Sequence, residues 1–166
     1  MPKDVTNERD IRSDETLFRM GTVEHVERAG GEDDDRRVSI AISSEEPYDR
    51  WFGPEILVHD KKSCDLSFLR SGTAPLLNQH DHRQQIGVIE KVTLGKDRVL
   101  RAIVRFSKSA MASEVYEDIK DGIRANVSVG YRIRDYQRDV DEDGEVTAVR
   151  VTDWYPYEAS IVSVPA

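Results

Sequence analysis

The stretch QQIGVIEKVTLGKDRVLRAIVRF, Gln84 to Phe106, reads as two strands joined by a turn. Leu100, Ala102, Val104 and Phe106 recur at every second position, the period of a strand that buries one face. LGKD supplies the residues that favour a tight reversal between the two runs. The same alternation appears upstream in VSIAIS, where Val38, Ile40 and Ile42 share one face and Ser39, Ala41 and Ser43 the other. PLLNQ before the opening stretch, and ANVSVGYRIRDY, EVTAVRVTDWY and YEASIVSVPA after it, read as further strands. A first strand is expected near Met20 to Arg28, followed by an exposed hairpin loop, GGEDDDRR, from Gly30 to Arg37. EEPYDRWFGPE, Glu45 to Glu55, reads as a loop carrying two large aromatics, with EILV as a short strand after it.

Helical periodicity is scarcer. In SKSAMASEVYEDIKDG, Ser109 can cap a helix whose Ala112, Val115 and Ile119 share a face, and Gly122 closes it. A helical turn or two over Lys61 to Arg70 would bury Cys64, Leu66 and Leu69 before Gly72 stops it. Roughly eight strands and two helices, with no strand-helix-strand repetition, predict a mainly β chain of the α+β kind. The architecture expected is a closed or nearly closed antiparallel β-barrel with peripheral helices, because closure removes exposed strand edges.

Composition narrows the function classes. A chain of 166 residues, 38% hydrophobic and 34% charged, supports one domain with its own core. Residues 1–16 are polar and lack apolar periodicity, so they are expected to form a flexible N-terminal segment ahead of one domain over residues 17–166. No apolar run approaches membrane-spanning length and no apolar segment follows the charged N-terminus, which predicts a soluble protein without a standard secretion signal. The lone Cys64 has no disulfide partner and no second cysteine with which to build a zinc site, which fits a reducing compartment. A net charge of −8 without a basic cluster disfavours nucleic acid as a partner.

Four places carry potential chemistry. In Asn126 to Ile133 the apolar side chains are Val127, Val129, Tyr131 and Ile133, so alternation turns Ser128 to the opposite face, beside Gly130, where another chain can approach closely. The bland reading is a serine on the solvent face of a strand. His80 and His82 flank Asp81 and would share a face of an extended segment, as a metal pair would, but no third ligand follows from the spacing. DVDEDGEVTAVR, Asp139 to Arg150, starts like a calcium loop, yet its twelfth position is arginine, so it reads as an acidic hairpin turn around Asp143 and Gly144. Glu158 lies in the apolar run WYPYEASIVSV and must either point out of the core or find a partner such as a histidine.

PLLNQHDHRQQIGVIE, the helix ending in DGIRANVSVGY, and YEASIVSVPA together resemble the successive signatures of the prohead proteases of tailed bacteriophages, the HK97 type. The resemblance covers roughly Ser39 to Ala166. It implies an assemblin-like barrel and a serine endopeptidase, with Ser128 as nucleophile, His80 as general base and Glu158 as the acid that orients the imidazole. Asp153 is the alternative for the third position, His82 for the second. It further implies that no cofactor is required. The implied substrates are the scaffold segment of capsid protein and the protease itself, cut inside the procapsid in the bacterial host cytoplasm, and the resemblance leaves room for a homo-oligomer. By the same resemblance the chain is expected to be truncated before a downstream region at Ala166. Two rivals stay open: a noncatalytic barrel that binds scaffold or capsid protein, and a metal-dependent hydrolase using His80 and His82.

Overall fold

Strand alternation and short hairpin turns generate most of the architecture. The computed structural model describes residues 10–26 and 35–166. Its elements are β1 (Leu17–Val26), β2 (Arg37–Ser43), β3 (Tyr48–Arg50), β4 (Gly53–Leu57), β5 (Pro75–Asn78), β6 (Asp81–Leu94), β7 (Leu100–Phe106), α1 (Ala110–Lys120), β8 (Asn126–Val140) and β9 (Val146–Val162). The strands run in the order β3-β4-β9-β5-β6-β7-β2-β1-β8, and β8 pairs again with β9. That last pairing closes β9, β5, β6, β7, β2, β1 and β8 into a seven-stranded barrel. The expected barrel is therefore present, and its strand edges are removed by closure.

Six of the seven ring pairings are antiparallel and one, β5 with β9, is parallel. This departs from the wholly antiparallel ring expected from sequence. The physical reason is that β5 and β9 lie far apart in the chain, so no hairpin imposes opposite directions on that seam.

The interior is filled from alternate positions of each strand. Ile40 and Ile42 of β2, Leu76 of β5, Ile89 of β6, Leu100 and Val104 of β7, Val127 and Val129 of β8, and Ile161 of β9 are fully buried in one core. Fully burying one such side chain contributes roughly 1.5–3 kcal/mol. The helix α1 packs outside against β6, β7 and β1. Its N-terminal cap is Ser109, whose hydroxyl accepts from the Ala112 amide at 3.2 Å, and Gly122 beyond it adopts a φ of 74°.

Three local expectations are corrected. The segment Lys61 to Arg70 is not a helix: it forms separate turns, with Cys64 N–H bonded to Asp60 O and Arg70 N–H to Leu66 O. Asp60 and Asp65 each accept backbone N–H groups of their own turns, which competes with helical pairing. So α1 is the single α-helix among the described residues. The loop expected over Glu45 to Glu55 is largely the β3–β4 hairpin, which Gly53 permits with a φ of 116°. The two separate strands expected in the last quarter are one long strand, β9, because a bulge keeps the run paired through Pro156. Of the hairpin loop expected from Gly30 to Arg37, residues 30–34 fall outside the described residues, and Arg37 at its end already belongs to β2. The flexible segment expected over residues 1–16 falls partly on 1–9, also outside them, whereas Ile11 packs into the core at 8% exposure. No helix among the described residues is long and apolar enough to cross a membrane.

Candidate active site

The outer face of β8 and β9 is arranged by one irregularity. Gly130 pairs with Glu158 but Tyr131 pairs with Pro156, so Tyr157 is an extra residue in a β-bulge. The bulge resets the alternation of β9, leaving Ala159 and Ile161 inside while Glu158 and Ser160 face outward beside Gly130 and Ser128. Across the other side of β8, Phe18 and Met20 of β1 are the register partners of Gly130 and Ser128.

The third component comes from the turn between β5 and β6. Asn78 pairs with Asp81, so Gln79 and His80 form a two-residue turn, and both have positive φ, 55° and 59°. Such turns favour Asn-Gly; histidine is among the residue types that tolerate the left-handed region better, but Gln79 is not, and a positive φ is uncommon for any residue other than glycine. The conformation is held by neighbours. Gln79 N–H donates to Ile161 O at 3.0 Å, its side-chain amide donates to Ser163 Oγ at 2.6 Å, and His80 N–H donates to Ser160 Oγ at 3.1 Å. The turn is thus fastened to the end of β9, and the imidazole swings over the outer wall.

Ser128 Oγ lies 2.8 Å from His80 Nε2, and His80 Nδ1 lies 2.6 Å from Glu158 Oε1. A carboxylate only accepts, so Nδ1 carries the proton and donates to Glu158, leaving Nε2 to accept from the serine hydroxyl. Glu158 is 1% exposed and its second oxygen accepts from Ser160 at 2.8 Å, so the buried carboxylate has partners on both oxygens. Ser128 has no exposed surface, whereas the His80 side chain keeps 21% of its own. The imidazole is braced by the Phe18 ring, with centroids 4.1 Å apart. Phe18 is held in turn through its carbonyl, which accepts from Arg50, itself bonded to the Tyr131 hydroxyl at 2.9 Å above the fully buried Glu55.

Of the residues singled out from sequence, Ser128, His80 and Glu158 converge. His82 does not: it is exposed, on β6. Asp153 faces Arg134 at 3.7 Å and is 43% exposed. Asp81 holds the chain after the turn by accepting from the Arg83 amide at 2.9 Å. No three His, Cys, Asp or Glu side chains among the described residues converge as a metal-binding group. Both ring nitrogens of His80 are moreover engaged within the protein. The acidic segment after Asp139 forms the expected hairpin turn, with Gly144 N–H bonded to Asp141 O and a φ of 83° at Gly144.

Ser160 and Phe18 were not anticipated. Ser160 carried a usable signal, since alternation places it on the face of Glu158. Phe18 carried none, because its partner lies 62 positions away in the chain, 80 − 18.

A second serine–histidine pair provides an internal comparison. His59 Nδ1 donates to Leu57 O at 2.7 Å and Nε2 accepts from Ser43 at 2.8 Å. Here the orienting acceptor is a neutral carbonyl and both residues are buried, at 2% and 3% exposure. Burial holds the His59 pKa below its ordinary value. This pair is a satisfied core contact. A larger cleft, about 920 Å3, is lined by Lys61, Arg70, Arg134 and Asp153 among others and contains none of Ser128, His80 and Glu158.

The profile of the family described as caudovirus prohead serine protease matches residues 58–166. Over 130 residues the chain is 48% identical to the major capsid protein of Halomonas phage phiHAP-1, a match covering 76% of this chain and 21% of that protein. The chain thus spans about a fifth of the length of the curated relative it matches. Among solved structures, the fold is similar to that of the bacteriophage T4 capsid assembly protease gp21, with a TM-score of 0.54 and 13% identity, covering 90% of this chain and 98% of the other. With more than half of its length matched by the family profile, the chain belongs to the caudovirus prohead serine protease family.

Proposed function

We propose that the chain is a serine endopeptidase of phage capsid maturation in which Ser128 is the nucleophile, His80 the general base and Glu158 the orienting carboxylate. The observation that carries this reading is the unbroken relay Ser128 Oγ, His80 Nε2, His80 Nδ1, Glu158 Oε1, with separations of 2.8 and 2.6 Å. A serine hydroxyl attacks a peptide carbonyl usefully only if a base takes its proton as the bond forms. His80 is placed to take it through Nε2 and to return it to the leaving amine. Glu158 fixes the tautomer and stabilises the imidazolium without becoming protonated. Because Ser128 is fully covered, substrate engagement has to open a path to Oγ from the side of the partly exposed imidazole.

The substrates we infer are the scaffold segment of capsid protein and the protease itself, inside the procapsid in the host cytoplasm. Family membership and the likeness to part of a protein named major capsid protein support this, since a protease domain joined to a shell protein is delivered to the shell it would process. The test is incubation of the purified chain with a phage capsid protein that carries its scaffold segment. Wild type is expected to cut it, and Ser128→Ala is expected to be folded and inert. Chelator-sensitive cleavage that survives Ser128→Ala would instead support the metal hydrolase. Binding without cleavage by wild type, at high protein concentration as well as low, would support the noncatalytic barrel.

A further inference from the structure

Beside Glu158, on the outer face that also carries Ser128 and His80, lies a cavity of about 270 Å3. Its walls are Phe68, Pro75, Leu77 and Tyr157, with His82 and Gln85 at the rim, and Glu158 forms part of the lining. Leu77 is the register partner of Ser160 on β9 and of Gln85 on β6, so the cavity opens toward the face that carries the relay. Phe68 is 42% exposed although it borders the cavity, a large apolar surface left open to solvent. On the opposite flank, Met20, the register partner of Ser128, is 51% exposed.

We infer that this cavity is a specificity subsite that receives one large aliphatic or aromatic side chain of the peptide being cut. The inference rests on the protease reading given above. Three observations select that occupant. The cavity is smaller than the roughly 300–1,000 Å3 of sites that enclose small-molecule ligands, which suits a single side chain. Its walls are mainly apolar, and both oxygens of Glu158 already hold donors from His80 and Ser160, so a cationic side chain gains no open carboxylate there. Its position is within reach: β5 lies two strand spacings from β8, about 10 Å, which is spanned by three residues of extended peptide at about 3.3 Å each. The side chain it holds therefore belongs to a residue within three positions of the scissile bond.

The experiment is digestion of a peptide library derived from a denatured bacterial proteome, with cut positions read by mass spectrometry. Alongside it, Ser128 is labelled with a small fluorophosphonate that does not reach the cavity. Wild type should enrich large apolar residues at one position within three of the cut. Phe68→Ala, which opens a wall, and Gln85→Trp, which fills the space, should each lower kcat/KM for the best peptide about tenfold or more. Gln85→Trp should also shift the preference toward small residues, while the labelling rate of Ser128 stays unchanged in both variants. Cleavage and labelling without apolar enrichment, or with the preference unaltered in the variants, overturns the subsite and leaves the protease reading standing. Loss of self-association in Phe68→Ala with unaltered preference assigns the cavity to contact between copies and likewise overturns the subsite. Absence of both cleavage and labelling in wild type overturns the subsite together with the protease reading.

Discussion

Gly130 and Glu158 face each other across β8 and β9, and the carboxylate fills the space that a side chain at position 130 would take. A Cβ there would lie 2.4 Å from Glu158 Oε1, the atom that receives the His80 proton donor. Gly130→Ala is therefore expected to displace the carboxylate and lower kcat at least tenfold, or about 1.4 kcal/mol, with KM little changed. Steady-state kinetics on a cleavable peptide checks this, and wild-type kcat in the alanine variant would show that the contact is dispensable.

Replacing Glu158 by Gln separates charge from shape. The amide keeps the volume but can present N–H to His80 Nδ1, which favours the wrong imidazole tautomer and leaves Nε2 protonated against Ser128. A loss of roughly 10^3- to 10^4-fold in kcat is expected, with melting temperature reduced far less. A comparable kcat for wild type and Glu158→Gln would remove Glu158 from the relay and reopen the third position.

Ser160 ties the orienting carboxylate to the turn that carries the imidazole, donating to Glu158 Oε2 and accepting from the His80 amide. Ser160→Ala leaves a buried carboxylate oxygen and a strained turn each short of one partner, at a cost of about 1–3 kcal/mol. We expect a moderate fall in kcat, about tenfold, partly restored in Ser160→Thr, which keeps the hydroxyl. If neither variant changed kcat or its pH profile, Ser160 would be a packing residue only.

His59 sets an acid limit on stability. Its pKa is held low by burial, so the unfolded chain takes up a proton at a higher pH than the folded one does. The contribution of neutral His59 is complete above the unfolded value, about pH 6.5, and is lost as pH falls through the folded value. Urea unfolding across that window should show declining stability in wild type and a flatter profile in His59→Gln. Parallel profiles would assign the acid sensitivity to other groups.

Much of the barrel was legible because its signals are local. Val38 to Ser43 and Leu100 to Phe106 alternate in sequence; burial follows that alternation at Leu100, Ala102, Val104 and Phe106, whereas in β2 Ser39 and Ser43 are buried along with Val38, Ile40 and Ile42. The direction of β5 against β9 was not legible, since parity along a strand is the same for either orientation. The helix expected near Cys64 failed because Asp60 and Asp65 draw the backbone into turns, a competition that apolar spacing does not register. At the site, Ser128 and Gly130 could be placed on one face from alternation alone, but Glu158 could not be aimed until the bulge at Tyr157 was known. Cys64 was expected to be buried, and it is: burial pushes its thiol up to about 12, which makes it a poor nucleophile.

The most direct test of the relay is covalent labelling of the cleaving enzyme with a small fluorophosphonate at neutral pH, followed by peptide mapping. One adduct is expected, on Ser128, formed in wild type and slowed by orders of magnitude in His80→Ala. The other buried serine–histidine pair, Ser43 with His59, should stay unmodified. An adduct on Ser43, or active enzyme that cuts its substrate at full rate while Ser128 remains unlabelled and replaceable by alanine, would contradict it.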